Sequence, residues 1–347
     1  RQGLHWSMRC NDALTRLLGA LLCGAWLASA AAQEPAPHAI DIPAWFAETF
    51  LDLREDIREA AGQGKRVMLY FGQDGCPYCK ELMQTNFSQR AIADKTRRHF
   101  VAVAFNIWGD REVIGLDGKK TSEKEFARAL KVQFTPTLLF FDEQGNIVAR
   151  LNGYYPPHRF EAVLDYVAGR METKLALGQY MKTAVRESAS GTLHHEPFFL
   201  PAPLALKRRP GDKPLAVLFE TRHCAGCDEL HREGFRRPEV KNLLPRFDMV
   251  RFTLADRSEI TTADGRKTTV EKWARELQIS YTPTLVFFEP SGREVFRVEA
   301  YLRPFHLASS LEYVASGAYR TEPSFQRFIQ ARAERMRAQG RRVELWQ

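Results

Sequence analysis

Apolar residues run unbroken over Val67-Met68-Leu69-Tyr70-Phe71 and again over Leu215-Ala216-Val217-Leu218-Phe219. Short continuous runs of this kind, bounded by Gly, Lys and Pro, predict strands buried on both faces. Second strands are predicted over Phe100 to Ile107 and Phe247 to Leu254, and polar helices over Ser122 to Leu130 and Val270 to Leu277. Two more apolar runs, Leu138-Leu139-Phe140-Phe141 and Leu285-Val286-Phe287-Phe288, each open an antiparallel hairpin that turns at Gly145 or Gly292, and a closing helix follows. Each half therefore reads as an α/β unit, a central mixed β-sheet flanked by helices.

The halves also match residue by residue. Cys76-Pro77-Tyr78-Cys79 is answered by Cys224-Ala225-Gly226-Cys227, 148 positions later (224 − 76). Phe134-Thr135-Pro136-Thr137 is answered by Tyr281-Thr282-Pro283-Thr284, 147 positions later (283 − 136). Asp117-Gly118 pairs with Asp264-Gly265, Tyr154 with Tyr301, and Tyr166-Val167 with Tyr313-Val314. A duplicated domain explains this register, and a length of 347 residues suits two domains. The expected boundaries are 40–185 and 213–320, with a linker at 186–212 and a basic helical tail at 321–347. Glu187 to Thr192 and the proline-rich stretch from Pro197 to Pro214 break both periodicities and mark the linker. The adjacent His194 and His195 inside it are expected to be solvent-exposed rather than metal ligands.

The first 32 residues read as an address. Residues 1–7 read as preceding a start at Met8, Arg9 and Arg16 give a charged opening, an apolar run extends from Leu17 to Ala32, and small residues close it. This is the grammar of a cleaved export signal, and the run is short for a membrane span, so no span is expected after cleavage. The remaining chain, 44% hydrophobic and 27% charged over the full sequence, has the balance of a globular protein. Its net charge of +8 reads as a distributed basic surface, because no nucleic-acid-binding motif accompanies the arginines of the C-terminal stretch.

Six cysteines are present, and Cys10 and Cys23 fall within the signal. The other four form the two Cys-x-x-Cys pairs. The thiolate is the nucleophile of sulfur chemistry, and a strand followed by a helix places the first cysteine where unpaired N–H groups and the helix dipole favour the anion. Two intervening residues bring the second cysteine within disulfide reach on the first helical turn. Cys76 and Cys224 are thus the expected attacking thiols, and Cys79 and Cys227 the resolving ones. His223, next to Cys224, would favour a thiolate if protonated but is expected to be exposed. This chemistry needs no organic cofactor and no metal. An alternative is one zinc held by all four thiolates, although a zinc ribbon places its pairs much closer together.

With a Thr-Pro about 60 positions after each first cysteine, the chain resembles the thioredoxin superfamily over about residues 40 to 320. The resemblance implies two tandem thioredoxin-like domains. It also implies that Pro136 and Pro283 are cis and face the cysteine pairs, and that Thr135 and Thr282 lend backbone to an extended substrate. Tyr70 to Lys80, Asn106 to Asp110, Phe134 to Thr137 and Asn152 to Tyr155 narrow the resemblance of the first half to periplasmic SoxW-like thioredoxins. That implies reduction of protein disulfides in the periplasm, with electrons from a membrane donor of the DsbD or CcdA kind. Two departures stand out. The buried acid that thioredoxins carry six positions before the first cysteine is replaced by Tyr70 and Leu218, so another base or water must serve. Pro77-Tyr78 matches glutaredoxins, whereas Ala225-Gly226 matches no subfamily. Disulfide isomerisation, or a second domain that mainly binds a partner, remain alternatives. The loops Trp108 to Thr121 and Ala255 to Thr268, each with an Asp-Gly turn, are expected either as plain hairpins or as a rim that selects substrate.

Overall fold

The computed structural model describes residues 39–185, 188–202, 205–299 and 302–343. The signal-like segment with Cys10 and Cys23, Glu187 and Tyr301 lie outside the described residues.

The first half runs α1 (Leu53–Gly62), β1 (Arg66–Gly72), α2 (Pro77–Glu81), α3 (Arg90–His99), β2 (Phe100–Asn106), β3 (Glu112–Ile114), β4 (Lys120–Ser122), α4 (Glu123–Ala129), β5 (Thr137–Phe141), β6 (Ile147–Asn152), α5 (Pro157–Ala168) and α6 (Leu177–Ala184). A π-helical turn, Leu82–Asn86, continues α2. The second half runs β7 (Leu215–Glu220), α7 (Ala225–Arg232), α8 (Pro238–Lys241), β8 (Asp248–Thr253), β9 (Glu259–Thr261), β10 (Lys267–Thr269), α9 (Val270–Glu276), β11 (Thr284–Phe288), β12 (Glu294–Glu299), α10 (Pro304–Ala315) and α11 (Phe325–Ala338).

The two sheets have one topology. β1 pairs in parallel with β2 and antiparallel with β5, which pairs antiparallel with β6, giving the order β2-β1-β5-β6; the second sheet repeats it as β8-β7-β11-β12. β1 is central and every one of its residues is buried, which is why its sequence is uniformly apolar. Alternate residues feed opposite faces. Met68, Tyr70, Leu138 and Phe140 pack with Phe160 and Val163 of α5, while Val67, Leu69, Phe71 and Leu139 pack with Ile57 of α1 and Phe126 of α4. Local signals set the helix starts: Asp52 accepts the Arg54 N–H ahead of α1, and Ser122 and Glu125 form a capping box at α4. The two Asp-Gly loops form the short hairpins β3-β4 and β9-β10.

The expected linker does not hang free. Leu200 and Leu206 donate N–H bonds to Met249 and Thr261, Arg208 to Ala263, and Leu206 is buried in the second core. His194, expected to be solvent-exposed, is half-buried instead: its Nε2 lies 2.6 Å from Asp228, and its ring stacks on His231 at 4.7 Å. The carboxylate that draws it in comes from α7 and could not be read from the linker's own composition. His195 is exposed. The basic tail forms α11, an amphipathic helix with Phe325, Phe328 and Ile329 in the second core and a buried Arg332 paired to Glu312 at 2.6 Å. Among the described residues no helix is long and apolar enough to cross a membrane.

Candidate active site

Each cysteine pair sits where β1 or β7 hands over to a helix. Cys76 is the N-cap of α2 with Pro77 at the first helical position, and Cys224 is the N-cap of α7, with Ala225 first. A proline fits that position because its missing N–H has no helical partner there. Cys76 Sγ accepts the N–H of Cys79 at 3.0 Å, and Cys224 Sγ that of Cys227 at 3.0 Å. The Cα atoms within each pair are 5.2 Å apart and each pair is joined as a disulfide. Sulfur at a helix N-cap, facing unpaired N–H groups, is where negative charge is best accommodated.

The second predicted element also arrives. Thr135-Pro136 and Thr282-Pro283 are cis peptides, and Thr135 O lies 3.4 Å from Cys76 Sγ. Thr282 meets Thr221, three residues before Cys224, through their hydroxyls at 3.2 Å. Gln73, three residues before Cys76, plays the matching part, donating from Nε2 to Thr135 Oγ1 at 3.3 Å and to Gln326 of α11 at 2.8 Å. Its Oε1 takes the Trp108 indole N–H. Tyr78 reaches into the second half: its Oη accepts the Arg303 N–H at 3.2 Å and its ring meets His306 edge-on at 4.9 Å. Burial, with the nearby Arg332 charge, pushes the His306 imidazole down to about 4, so the ring facing Tyr78 is neutral. His223 is exposed.

Three features of the site escaped the sequence. Gln73 and Gln326 are one, since nothing local pairs residues so far apart. The second is a buried acid in the second half. Glu220 ends β7 four positions before Cys224, and its Oε1 lies 2.7 Å from His231 Nε2, while Glu196 meets His231 Nδ1 at 3.0 Å. His231 is four positions beyond Cys227 on α7, hence on the same helical face, one turn along. Burial opposes charge on this imidazole, but the hydrogen bond and charge of Glu220, then those of Glu196, hold it above the ordinary histidine range. An apolar run closing on a Glu was the available signal. The third feature is Asp228, next to Cys227; burial raises its carboxyl, yet hydrogen bonds from Ser190 and His194 prevail and hold it at about 2. In the first half Tyr70 replaces the expected acid, and its buried hydroxyl has no hydrogen-bond partner among the described residues. Among the described residues no group of three or more His, Cys, Asp or Glu is placed to hold a metal ion.

The family model for a thioredoxin-like domain matches residues 53–168 and again residues 205–315. The chain belongs to the thioredoxin-like family. This thioredoxin-like protein is 27% identical over 231 residues to protein disulfide-isomerase erp38 of Neurospora crassa, an alignment covering 66% of this chain and 51% of the fungal one. It is 27% identical over 115 residues to the thiol:disulfide interchange protein DsbD of Actinobacillus pleuropneumoniae, covering 33% of this chain and 18% of that protein. The chain thus spans about half the length of the fungal relative and under a fifth of the bacterial one. Among solved structures, a thioredoxin-fold protein from Helicobacter pylori is 26% identical, with 39% of this chain and 96% of that chain covered and a TM-score of 0.31.

Proposed function

We propose that this protein is an exported thiol–disulfide oxidoreductase that exchanges dithiols with disulfides of protein substrates, in the periplasm and in the reducing direction. One observation carries the reading. In both halves the first sulfur of the pair caps a helix and accepts the second cysteine's N–H at 3.0 Å, and a Thr–cis-Pro turn stands before β5 and β11. Such an N–H favours charge on the reduced sulfur over the neutral thiol.

In the reduced protein, Cys76 attacks one sulfur of a substrate disulfide as the thiolate. An S–S bond forms between Cys76 and that sulfur, the substrate bond breaks, and the other substrate sulfur leaves with the electron pair and takes up a proton. Cys79 then loses its proton and attacks Cys76 Sγ, releasing the second substrate thiol. Two electrons pass to the substrate, and the pair ends as the disulfide Cys76–Cys79. Cys224 and Cys227 repeat the chemistry or relay electrons, with Glu220 and His231 one turn beneath. Thr135, Pro136, Thr282 and Pro283 receive the substrate chain, and Pro77 and Tyr78 shape the first site. The reducing direction rests on the SoxW-like resemblance of the first half and calls for a membrane donor of the DsbD or CcdA kind. The export location rests on residues 1–32, which read as a signal.

Cys79→Ser and Cys227→Ser variants test the reading by stalling the reaction at the mixed disulfide. Incubated reduced with insulin, they should yield adducts through Cys76 and Cys224 that dithiothreitol releases; no adduct from either variant overturns it. A second reading, disulfide isomerisation, draws support from the match to protein disulfide-isomerase erp38, which runs through both halves. Recovery of activity from scrambled ribonuclease by the wild type but not by either single-site variant would favour it.

A further inference from the structure

The two halves meet through the same surface of each. Phe134, the residue before Thr135–cis-Pro136, is buried in the second half's core against Phe296 and Phe325, at 5.5 and 5.3 Å between ring centroids. Tyr281, the residue before Thr282–cis-Pro283, packs on Tyr155 of the first half at 4.7 Å, with the Arg159 guanidinium 4.5 Å over its ring. Asn152 and Glu299, which end β6 and β12, hydrogen-bond to each other. These are register mates. The offset of 147 that carries Pro136 to Pro283 also carries Phe134 to Tyr281, Asn152 to Glu299 and Tyr155 to Leu302, and Leu302 lies in the cluster that takes Phe134. Reciprocal contacts of this kind, each residue of one copy touching the mate of its partner, define an isologous contact such as a two-fold dimer makes, here within one chain.

The surface so used contains the Thr–cis-Pro turns. Around the first site, Arg303 and His306 stand on Tyr78, and Gln326 on Gln73, all three from the second half. Cys76 is only 3% exposed and Cys224 only 1%. A thiolate must reach a disulfide sulfur along a clear line, and both attacking cysteines are almost wholly buried.

We propose that the substrate-receiving face of each half is occupied by the other half, so that the chain closes on its own two sites and a protein disulfide reaches Cys76 or Cys224 only when the halves part. This rests on the thiol-exchange reading and adds its regulation. The contact is suited to opening, because it mixes aromatic insertion with polar pairs that water can replace, Asn152 with Glu299 and Gln326 with Gln133 and Gln73.

Two substitutions away from the cysteines should force the closed state open. Asn152→Asp keeps an acceptor for Thr137 Oγ1, 3.4 Å away, but sets a second carboxylate against Glu299. Gly178→Leu lies in α6, where a helix tolerates leucine, but a Cβ there would come within 2.8 Å of Ser280 O, next to Tyr281. Reduced wild type, both variants and the Asn152→Asp/Glu299→Lys pair are treated with iodoacetamide, sites are assigned by mass spectrometry, and insulin reduction is followed in parallel. Like charges at an interface cost enough that alkylation of Cys76 should rise about ten-fold or more in both opening variants, and return towards wild type in the charge-swapped pair. Equal rates in the wild type and both opening variants overturn the closure, whatever insulin does. Faster alkylation in the variants with no insulin reduction by any form upholds the closure and sinks the proposed protein substrates instead.

Discussion

The imidazole of His231 and the carboxylate of Glu220 meet at 2.7 Å in the interior of the second half, one helical turn beyond Cys227, and both side chains are 1% exposed. A buried pair of this kind is costly to break, because removing one partner leaves the other without compensation. His231 carries its proton to higher pH in the folded chain than in the unfolded one. Its contribution to stability is therefore complete below about pH 6.5 and is lost as pH rises through the elevated folded value. Glu220→Gln should lower the unfolding free energy of the second half by about 3 kcal/mol at pH 6 and flatten its pH dependence between pH 6 and 9. Urea unfolding at a series of pH values checks this; an undiminished slope in the variant would show that another group titrates.

Asp56, when replaced, has the opposite expected effect on stability, although the pH dependence runs the same way. It is buried in α1, where burial above all pushes its carboxyl up to about 6, against the lowering effect of the Thr49 hydroxyl. The neutral form is the one the fold accepts. Stability from this group is complete below its ordinary value of 3.8 and declines as pH rises through about 6. Asp56→Asn should stabilise the protein at pH 8 by on the order of 2 kcal/mol and have little effect at pH 4. Thermal melts at the two pH values decide it, and a destabilised variant at pH 8 would contradict the account.

Arg66, at the start of β1, is buried and bonds to Glu143, Glu172 and the carbonyl of Val167. Its hydrogen bond, over the opposing effect of burial, holds the Glu143 carboxyl down to about 2. Replacing Arg66 by Met leaves Glu172 facing an apolar side chain and Glu143 with Arg170 as its remaining guanidinium partner, and should cost about 3 kcal/mol at neutral pH. The difference should shrink as pH falls from the ordinary glutamate range towards 2, since a depressed carboxyl stabilises only while ionised. Guanidinium unfolding of both proteins at pH 7 and pH 3 measures the change.

Much of this was legible in the sequence because it is local. Continuous apolar runs fixed β1, β5, β7 and β11, Asp-Gly marked the small hairpins, and a strand followed by Cys-x-x-Cys placed the sulfurs at helix N-caps. What stayed hidden depends on residues far apart in the chain. Phe134 opens the Thr-Pro motif of the first half but is buried in the core of the second, and Tyr281, its mate, packs on Tyr155. Nothing in a 3.6- or 2-residue period records which core an aromatic enters. His194 read as a solvated linker residue because Asp228, its partner, lies 34 positions away. The arginines of the last helix read as a basic surface, although Arg332 is buried against Glu312.

The cysteines carry a functional prediction of their own. With Cys224 and Cys227 both replaced by Ser, Cys76→Ser should abolish insulin reduction, a loss of at least about 100-fold, since the one thiol then left outside residues 1–32 is the buried resolving Cys79. Cys79→Ser in the same background should still form a mixed disulfide but not release it. Residual turnover without Cys76 would assign the chemistry elsewhere.

The most direct test of thiol exchange is a redox titration of the Cys76–Cys79 pair, with Cys224 and Cys227 replaced by Ser, in graded glutathione and dithiothreitol buffers read by quenched-alkylation mass spectrometry. A catalytic pair should interconvert as a two-electron couple within the range of about −270 to −120 mV spanned by such oxidoreductases. A bond that stays oxidised below about −300 mV would be a structural staple, and the proposed chemistry at Cys76 would be wrong.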